Sequence, residues 1–562
     1  MPVTPRFLRV TLAALFLWNG GLLAQNRQPV DRFGLFEASF EASGRYGNPY
    51  VEAEAYAIVA RPDSLEWRVP LFWDGGNTWK LRVSPDAPGA WSFTVHSADR
   101  GLDGQSGSFE CRLGGRRGSI VPMRGHPSHF QYQDGSPVWF LGDTAWGYFT
   151  DSDEDNHHRP QAEHYASTRA QQGFNAIHSM LLSEQGVGNN GGLPFDDIGA
   201  EKLNPSYWQE VDERLAYANR QGLVVGLALA WGDKRKAEPF AWRRFPDVAA
   251  RKRYARYIAA RYGAYEVYFL VSGEWHAEVR TRDNTTAETV MREFVAIGEA
   301  LDAADAHGRM IGIHPMIRHG SVREFAGLSW MSFADYQQNY RDLHARVLLS
   351  RGLTGPVVNS EYGYHLRDSD GNGQPDKDNS LSAEDIRFAS WDIVTAGGYL
   401  VTGFGTTYFG GHRDPGPFDV DAAKNDDWEA QAGHLLKFFT GLEWWRLVPA
   451  DSLLTGETAR GADRSQQVPN RGRELAVIRP PAVTYWAMAI PGDVYVIYAR
   501  GVTGALRLEL DARPGRFAVR QFSPRSGEAR DLGVVAIDRA YEYTPPDGQD
   551  WAVVLRRTSG AE

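Results

Sequence analysis

A central (β/α)8 TIM barrel flanked by two β-sandwiches is the fold class that this sequence predicts. Three observations lead there. Over residues 122–447, short apolar runs alternate with helical stretches, and eight strand-then-helix units can be counted. On either side, over 31–113 and 451–557, the pattern switches to period-two alternation broken by Gly, Pro, Asn and Asp, the mark of short strands joined by tight turns. No Gly-rich phosphate loop follows the first strand of the barrel, which argues against the doubly wound open sheet that also alternates strand with helix.

The first element is a targeting segment. Arg6 and Arg9 precede the apolar run Val10–Trp18, and Leu22-Leu23-Ala24 makes a small-residue approach to a cleavage site. Residues 1–24 therefore read as a signal peptide, removed on export to a secreted or periplasmic (bacterial) location. The run is too short to span a bilayer comfortably, and no second apolar segment of about 18 residues follows, so no stable membrane insertion is expected after cleavage.

The stretch 31–113 carries FEASFEA, VEAEAYAIVA, LEWRVPLFWDG, TWKLRVSP, WSFTVHSA and GSFECRL, separated by turn chemistry about every ten residues. That spacing predicts an immunoglobulin-like β-sandwich. Trp91, just after a turn, reads as core. The single cysteine, Cys111, excludes an intramolecular disulfide and a cysteine-based metal site.

The barrel units follow in order. Strands are expected at Val138–Gly142, Phe174–Leu181, Leu223–Ala230, Val267–Ser272, Met310–His314, Trp330–Asp335, Pro356–Ser360 and Tyr399–Gly403. Helices are expected at Gln161–Gln172, Pro205–Gln221, Val248–Tyr262, from Thr286 to Asp305, at Ala383–Ala396 and at Trp428–Thr440. The C-terminal stretch then runs through ELAVIRP, YWAMAIPGD, VYVIYARG, ALRLELDA, RFAVRQFSP, ARDLGVVA and DWAVVLRR, a small antiparallel β-sandwich expected to pack on the barrel.

Chemistry in such a barrel sits at the C-terminal strand ends. Strand four, VYFLVSG, ends in Glu274, and strand seven, PVVNS, ends in Glu361. Each alone could be a structural carboxylate. Together, on opposite sides of the mouth, they can flank a glycosidic bond, where one group protonates the leaving oxygen and the other meets the anomeric carbon. Around them the strand ends supply Asp143, Trp146, His178, Trp231, Trp275, His314, Tyr336, Gln337, Tyr362 and Tyr408, a polar cup with aromatic walls and the expected substrate-binding set. Tyr336 is expected to hold Glu361 ionised.

Composition narrows the partners. The net charge of −10 is spread along the chain, and no basic patch interleaves with aromatics, so nucleic acid is not an expected partner. The 18 tryptophans suit sugar stacking as well as packing. A metallohydrolase is disfavoured because neither His-x-His nor His-Glu-x-x-His occurs. A serine hydrolase is disfavoured because no Gly-x-Ser-x-Gly follows a strand. A polysaccharide or oligosaccharide is the expected substrate, with no cofactor required for catalysis. The competing reading is a non-catalytic glycan-binding surface protein, which would have no need of two opposed carboxylates.

One acidic loop stands apart. From Asp368 to Asn379, oxygen-bearing residues at Asp368, Asp370, Asn372, Gln374 and Asp376, with Gly373 at the sixth position, match a calcium loop of the EF-hand type. Asn379 replaces the bidentate Glu of that pattern. A structural Ca2+ at the pocket rim is the expectation.

The segments FQYQDGSPVWFLGDTAWGYF, GFNAIHSM, FLVSGEW, GIHP, NSEYGYH and GGYLVTGFGTTYFGG resemble the apiosidase-like glycoside hydrolases of family 140, retaining enzymes of clan A. Members of that family often carry an N-terminal sandwich, matched here by FWDGGNTWKLRVSPDAPGAWSF. The resemblance covers residues 36–447 and implies Glu274 as acid/base and Glu361 as nucleophile. Most clan A enzymes have Asn before the acid/base, where this chain has Gly273, and apiosidase-like members often show Asp where Glu274 stands.

Overall fold

The computed structural model describes residues 29–153, 157–183, 186–232, 240–316, 324–337, 342–366, 380–404, 420–457, 460, 480–511 and 513–558. The expected signal peptide, the calcium-like loop and Tyr408 lie outside them.

The barrel strands are β1 (Leu141–Thr144), β2 (Ala176–Met180), β3 (Val224–Ala228), β4 (Val267–Leu270), β5 (Ile311–Gly312), β6 (Ala334–Tyr336), β7 (Val357–Asn359) and β8 (Tyr399–Phe404). All pair in parallel in the spatial order 5-4-3-2-1-8-7-6. A further parallel bridge, Ile311 with Met331, joins the two ends of that row, so the sheet is a near-closed barrel. The strands are Val-, Ile- and Leu-rich and buried end to end, as sheets covered on both faces require.

Helices α1 (Arg159–Gln171), α2 (Pro205–Arg220), α3 (Val248–Tyr262), α4 (Ala287–Asp302), α5 (Leu343–Ser350), α6 (Ala383–Thr395) and α7 (Asp426–Thr440) form the outer layer. Their starts follow from side-chain caps. Asn204, Asp247, Thr286 and Ser382 each accept a backbone N–H from the first turn of the helix they precede. In α4, Val290, Phe294, Ile297 and Leu301 recur at helical spacing and are all buried. Each contributes about 1.5–3 kcal/mol of apolar burial. The α5 helix, after β6, was not expected from the sequence.

The N-terminal module consists of two packed, largely antiparallel sheets. One orders the strands Val30–Asp31, Ser106–Arg112, Gly89–Ser97, Ala55–Ala60 and Glu66–Pro70; the other orders Phe36–Glu41, Thr78–Val83 and Phe72–Gly75. Trp91 is fully buried in their shared core with Val59, Leu81 and Val95. Arg82 leaves this module to meet Asp212 of α2 at 2.6 Å, and Arg261 of α3 meets the same carboxylate at 2.7 Å. A buried carboxylate between two guanidiniums is thereby compensated, and it ties module to barrel.

The C-terminal module pairs a six-stranded antiparallel sheet with a three-stranded one. It packs on α6. Trp391 stacks on Tyr498 at 4.8 Å, Arg500 grips Asp392 at 2.7 Å, and Arg387 grips Asp550 at 2.8 Å. Among the described residues no helix is long and apolar enough to cross a membrane.

Candidate active site

The turn after β4 is shaped by an absence. Parallel pairing of β3 with β4 continues one step further, from Trp231 to Gly273. The indole of Trp231 then lies directly on Gly273, where a Cβ would fall 2.1 Å from the ring. No side chain fits, so Asn is excluded at the position before Glu274. Glu274 itself has φ +45°, the left-handed region, at a cost of about 1–3 kcal/mol for a residue with a Cβ. The turn is held because the Glu274 carbonyl accepts the Ala277 N–H at 2.9 Å and Gly232 packs close beneath that carbonyl. A strained carboxylate-bearing turn at a strand end is a feature that packing alone does not call for.

Glu361, beyond β7, is held at both oxygens. The Tyr364 hydroxyl donates to Oε1 at 2.5 Å, and His314 Nε2 lies 3.2 Å from Oε2. His314, beyond β5, has no exposed surface. Its Nδ1 faces Ser360 Oγ at 2.9 Å and Asp335 Oδ2 at 3.2 Å, and the Ser360 hydroxyl donates to Asp335 Oδ1 at 2.5 Å. Burial opposes a charge on His314, but Asp335 on one ring nitrogen and Glu361 on the other outweigh it and raise its pKa to about 10. Burial pushes Asp335 up, against the pull of His314. With carboxylates at both nitrogens, the arrangement is an imidazolium between two carboxylates, with both N–H groups donating.

Above this network the walls are aromatic. Trp146 meets Trp231 edge-on at 4.8 Å, and both rings lie within 6 Å of His314, at 5.8 and 5.6 Å. His178, fully buried, sits 6.0 Å from Trp146 and 5.3 Å from Tyr268. Neither of its ring nitrogens has a hydrogen-bond partner among the described residues, and the Tyr268 hydroxyl likewise has none. Burial first, and then the His314 charge, pulls the His178 pKa well below the ordinary value, so the ring is neutral.

Of the expected site residues, Glu274, Glu361, Trp146, His178, Trp231 and His314 occupy one end of the barrel, and Gln337 is buried at the end of β6 with its side-chain oxygen unpartnered among the described residues. Four others are corrected. Asp143 points outward into the helix layer, where Arg169 and Tyr165 of α1 donate to one of its oxygens at 2.6 and 2.9 Å. Trp275 packs on Phe325 and on Phe294 of α4. Tyr336 reaches Ser350 of α5, and Tyr362 meets Ser390 of α6 at 2.9 Å. The donor expected of Tyr336 is Tyr364. Two residues outside the expected set complete the network: Asp335 and Ser360. Both stand at strand ends, and Ser360 directly precedes Glu361. Among the described residues no cluster of His, Cys, Asp and Glu could hold a metal ion.

Comparison with known proteins places this geometry. Residues 126–445 match the family model of the apiosidase-like catalytic domain, and residues 29–98 match a domain of unknown function, DUF5060. A search of curated proteins gave no match. Among solved structures, a putative glycoside hydrolase from Bacteroides vulgatus superposes with a TM-score of 0.73 at 16% identity, covering 95% of this chain and 100% of that one. A further glycoside hydrolase gives 0.60 at 18% identity, over 79% and 98% of the two chains. A family 5 glycoside hydrolase from Bacteroides vulgatus gives 0.59 at 16% identity, over 78% and 94%. At such identities the likeness shows the shared fold, whereas the family model spans more than half the chain: this chain belongs to the apiosidase-like family of glycoside hydrolases.

Proposed function

We propose that the chain is a secreted retaining glycoside hydrolase that cleaves O-glycosidic bonds of plant or algal polysaccharide by double displacement. What carries the reading is Glu361: a carboxylate with a separate donor on each oxygen, Tyr364 on one and His314 on the other. Two donors fix its plane and keep it anionic, which is what a nucleophile aimed at an anomeric carbon needs. In the first step Glu361 forms a bond to the anomeric carbon as Glu274 protonates the departing oxygen. In the second, Glu274 takes a proton from water, the water oxygen bonds to the anomeric carbon, and the bond to Glu361 breaks. The Asp335–His314–Glu361 row carries a net charge of about −1, so it opposes the positive charge of the oxocarbenium-like transition state. Retention requires the Glu274 and Glu361 carboxyl groups about 5–5.5 Å apart. The N-terminal module, of immunoglobulin-like type, and the C-terminal one brace the barrel, and the Asp368–Asn379 loop takes a structural Ca2+.

The test is turnover of activated aryl glycosides. Glu361→Ala should lose activity on every substrate, and azide should restore it with an inverted product. Glu274→Ala should still be glycosylated by a substrate with a good leaving group, and azide should speed release with retention. Swapped responses would reverse the roles. Two variants indistinguishable from the parent would overturn the catalytic reading in favour of a glycan-binding protein.

A further inference from the structure

A wide cleft lies away from the strand ends. It has a volume of about 1010 Å3 and lies between the N-terminal module and the barrel helices α3 and α4. Three of its cations stand without a direct ion pair. Arg68, Arg253 and Arg256 line it, and none of the three pairs with a carboxylate among the described residues. Arg68 lies 3.8 Å over the Tyr56 ring, which fixes its guanidinium in place. Arg253 lies 5.9 Å over Tyr50, with one terminal nitrogen buried and unpartnered. The Tyr50 hydroxyl, on a residue only 6% exposed, is unpartnered too. Three exposed carboxylates share the cleft, so its formal charge is balanced, and none of them meets a guanidinium among the described residues. Glu52 accepts the N–H groups of Gly47 and Asn48, and Asp103 accepts that of Ser97, leaving Glu54 at the rim. Trp73 also lines the cleft, half-buried, with its indole N–H fixed on the Gly76 carbonyl at 2.9 Å.

Unpaired guanidiniums seek planar anions, and a fixed indole offers a flat face to sugar C–H groups. We propose that this cleft is a second carbohydrate site, one that takes an anionic saccharide whose uronate carboxylates meet Arg68 and Arg253 while a sugar ring lies on Trp73. The two modules build it together, so it exists only in the full chain. It holds a polymer against the flank of the barrel and is independent of the bond-cleaving role of Glu274 and Glu361.

Affinity electrophoresis of the full chain tests it, in native gels containing alginate or polygalacturonate, with neutral glucomannan as the comparison. The parent should be retarded by both polyuronates and not by glucomannan, and added salt should weaken the retardation. Arg68→Ala and Arg253→Ala should each weaken binding about tenfold, the loss of one charge-assisted contact. Trp73→Ala should weaken it as well. Arg68 is exposed, so its variant keeps the test valid even where Arg253→Ala fails to fold. A parent that migrates unretarded in both polyuronates, or an Arg68→Ala chain that binds as the parent does, overturns the proposal. Hydrolysis is read separately on an aryl glycoside. A chain that binds polyuronate and hydrolyses nothing refutes the catalytic reading alone.

Discussion

Asp335→Asn separates charge from geometry in the network behind Glu361. The substitution is isosteric. Ser360 can still donate to the side-chain oxygen, and the new amide can donate to His314 Nδ1. A ring that accepts at Nδ1 must carry its proton on Nε2, so the hydrogen bond to Glu361 survives with a neutral donor in place of a charged one. Asp335 is the largest of the influences that raise His314, so its loss brings the His314 pKa down from about 10. Glu361 is charged in parent and variant alike, so the bond stays charge-assisted and the exchange removes only the attraction between the two charges, about 1–1.5 kcal/mol for a pair shielded from solvent. That is a loss of about five- to thirteenfold in kcat/KM. The loss must depend on pH. At low pH the variant regains its imidazolium and the gap to the parent narrows; at high pH within the active range it widens. The assay is kcat/KM of parent and variant on one activated aryl glycoside from about pH 5 to about pH 9, a range that brackets the ordinary histidine pKa. A ratio flat across that range would refute the claim that the His314 charge acts on Glu361. A loss of several hundredfold, with a lowered Tm, would show that Asp335 supports the fold rather than the charge.

Three further outcomes follow from the same geometry. Gly273→Ala should cost about 1–3 kcal/mol through the clash with Trp231, and Trp231→Ala in the same chain should recover much of that in a double-mutant cycle by denaturant unfolding; additive losses would sink the contact argument. The folded pKa of His314 lies above its unfolded value of about 6.5, so its contribution is complete below about pH 6.5 and is lost as pH rises through about 10. Tm should therefore fall over that window in the parent and less in Asp335→Asn, and parallel curves would contradict it. If the Asp368–Asn379 loop binds Ca2+, chelation with EDTA should lower Tm and added Ca2+ should restore it; a Tm indifferent to both removes the ion from the account.

What the sequence made legible is the alternation that builds the barrel and the two glutamates at its mouth. Period-two and helical patterns are set by burial, and burial is local to each element, so strands such as Val267–Leu270 and helices such as Val248–Tyr262 can be read one at a time. What stayed hidden is which way each strand-end side chain faces. Asp143 and Tyr336 stand at strand ends as Asp335 does, but a strand sends successive side chains to opposite faces. In Ala334-Asp335-Tyr336, Asp335 therefore faces the barrel interior and His314, and Tyr336 faces α5. A shift of one residue in the reading of β6 exchanges a carboxylate that charges the site for a phenol that packs a helix. The same parity sends Asp143 to Arg169 in the outer layer.

Tyr364 can be read from the sequence as a residue of the cup, but its contact with Glu361 was hidden for a different reason. Its contact with Glu361 depends on the turn through Gly363, whose φ of +151° lets the chain double back three residues after the carboxylate. Position 273 was readable only as a departure from a pattern, and its cause lies on another strand. Trp231 occupies the space that a side chain at position 273 would need, so the glycine at 273 and the tryptophan at 231 are one structural event. It follows that no substitution at 273 alone can install an amide beside Glu274. The indole already fills the volume that such a side chain needs, and a substrate entering beside Glu274 meets an apolar wall there.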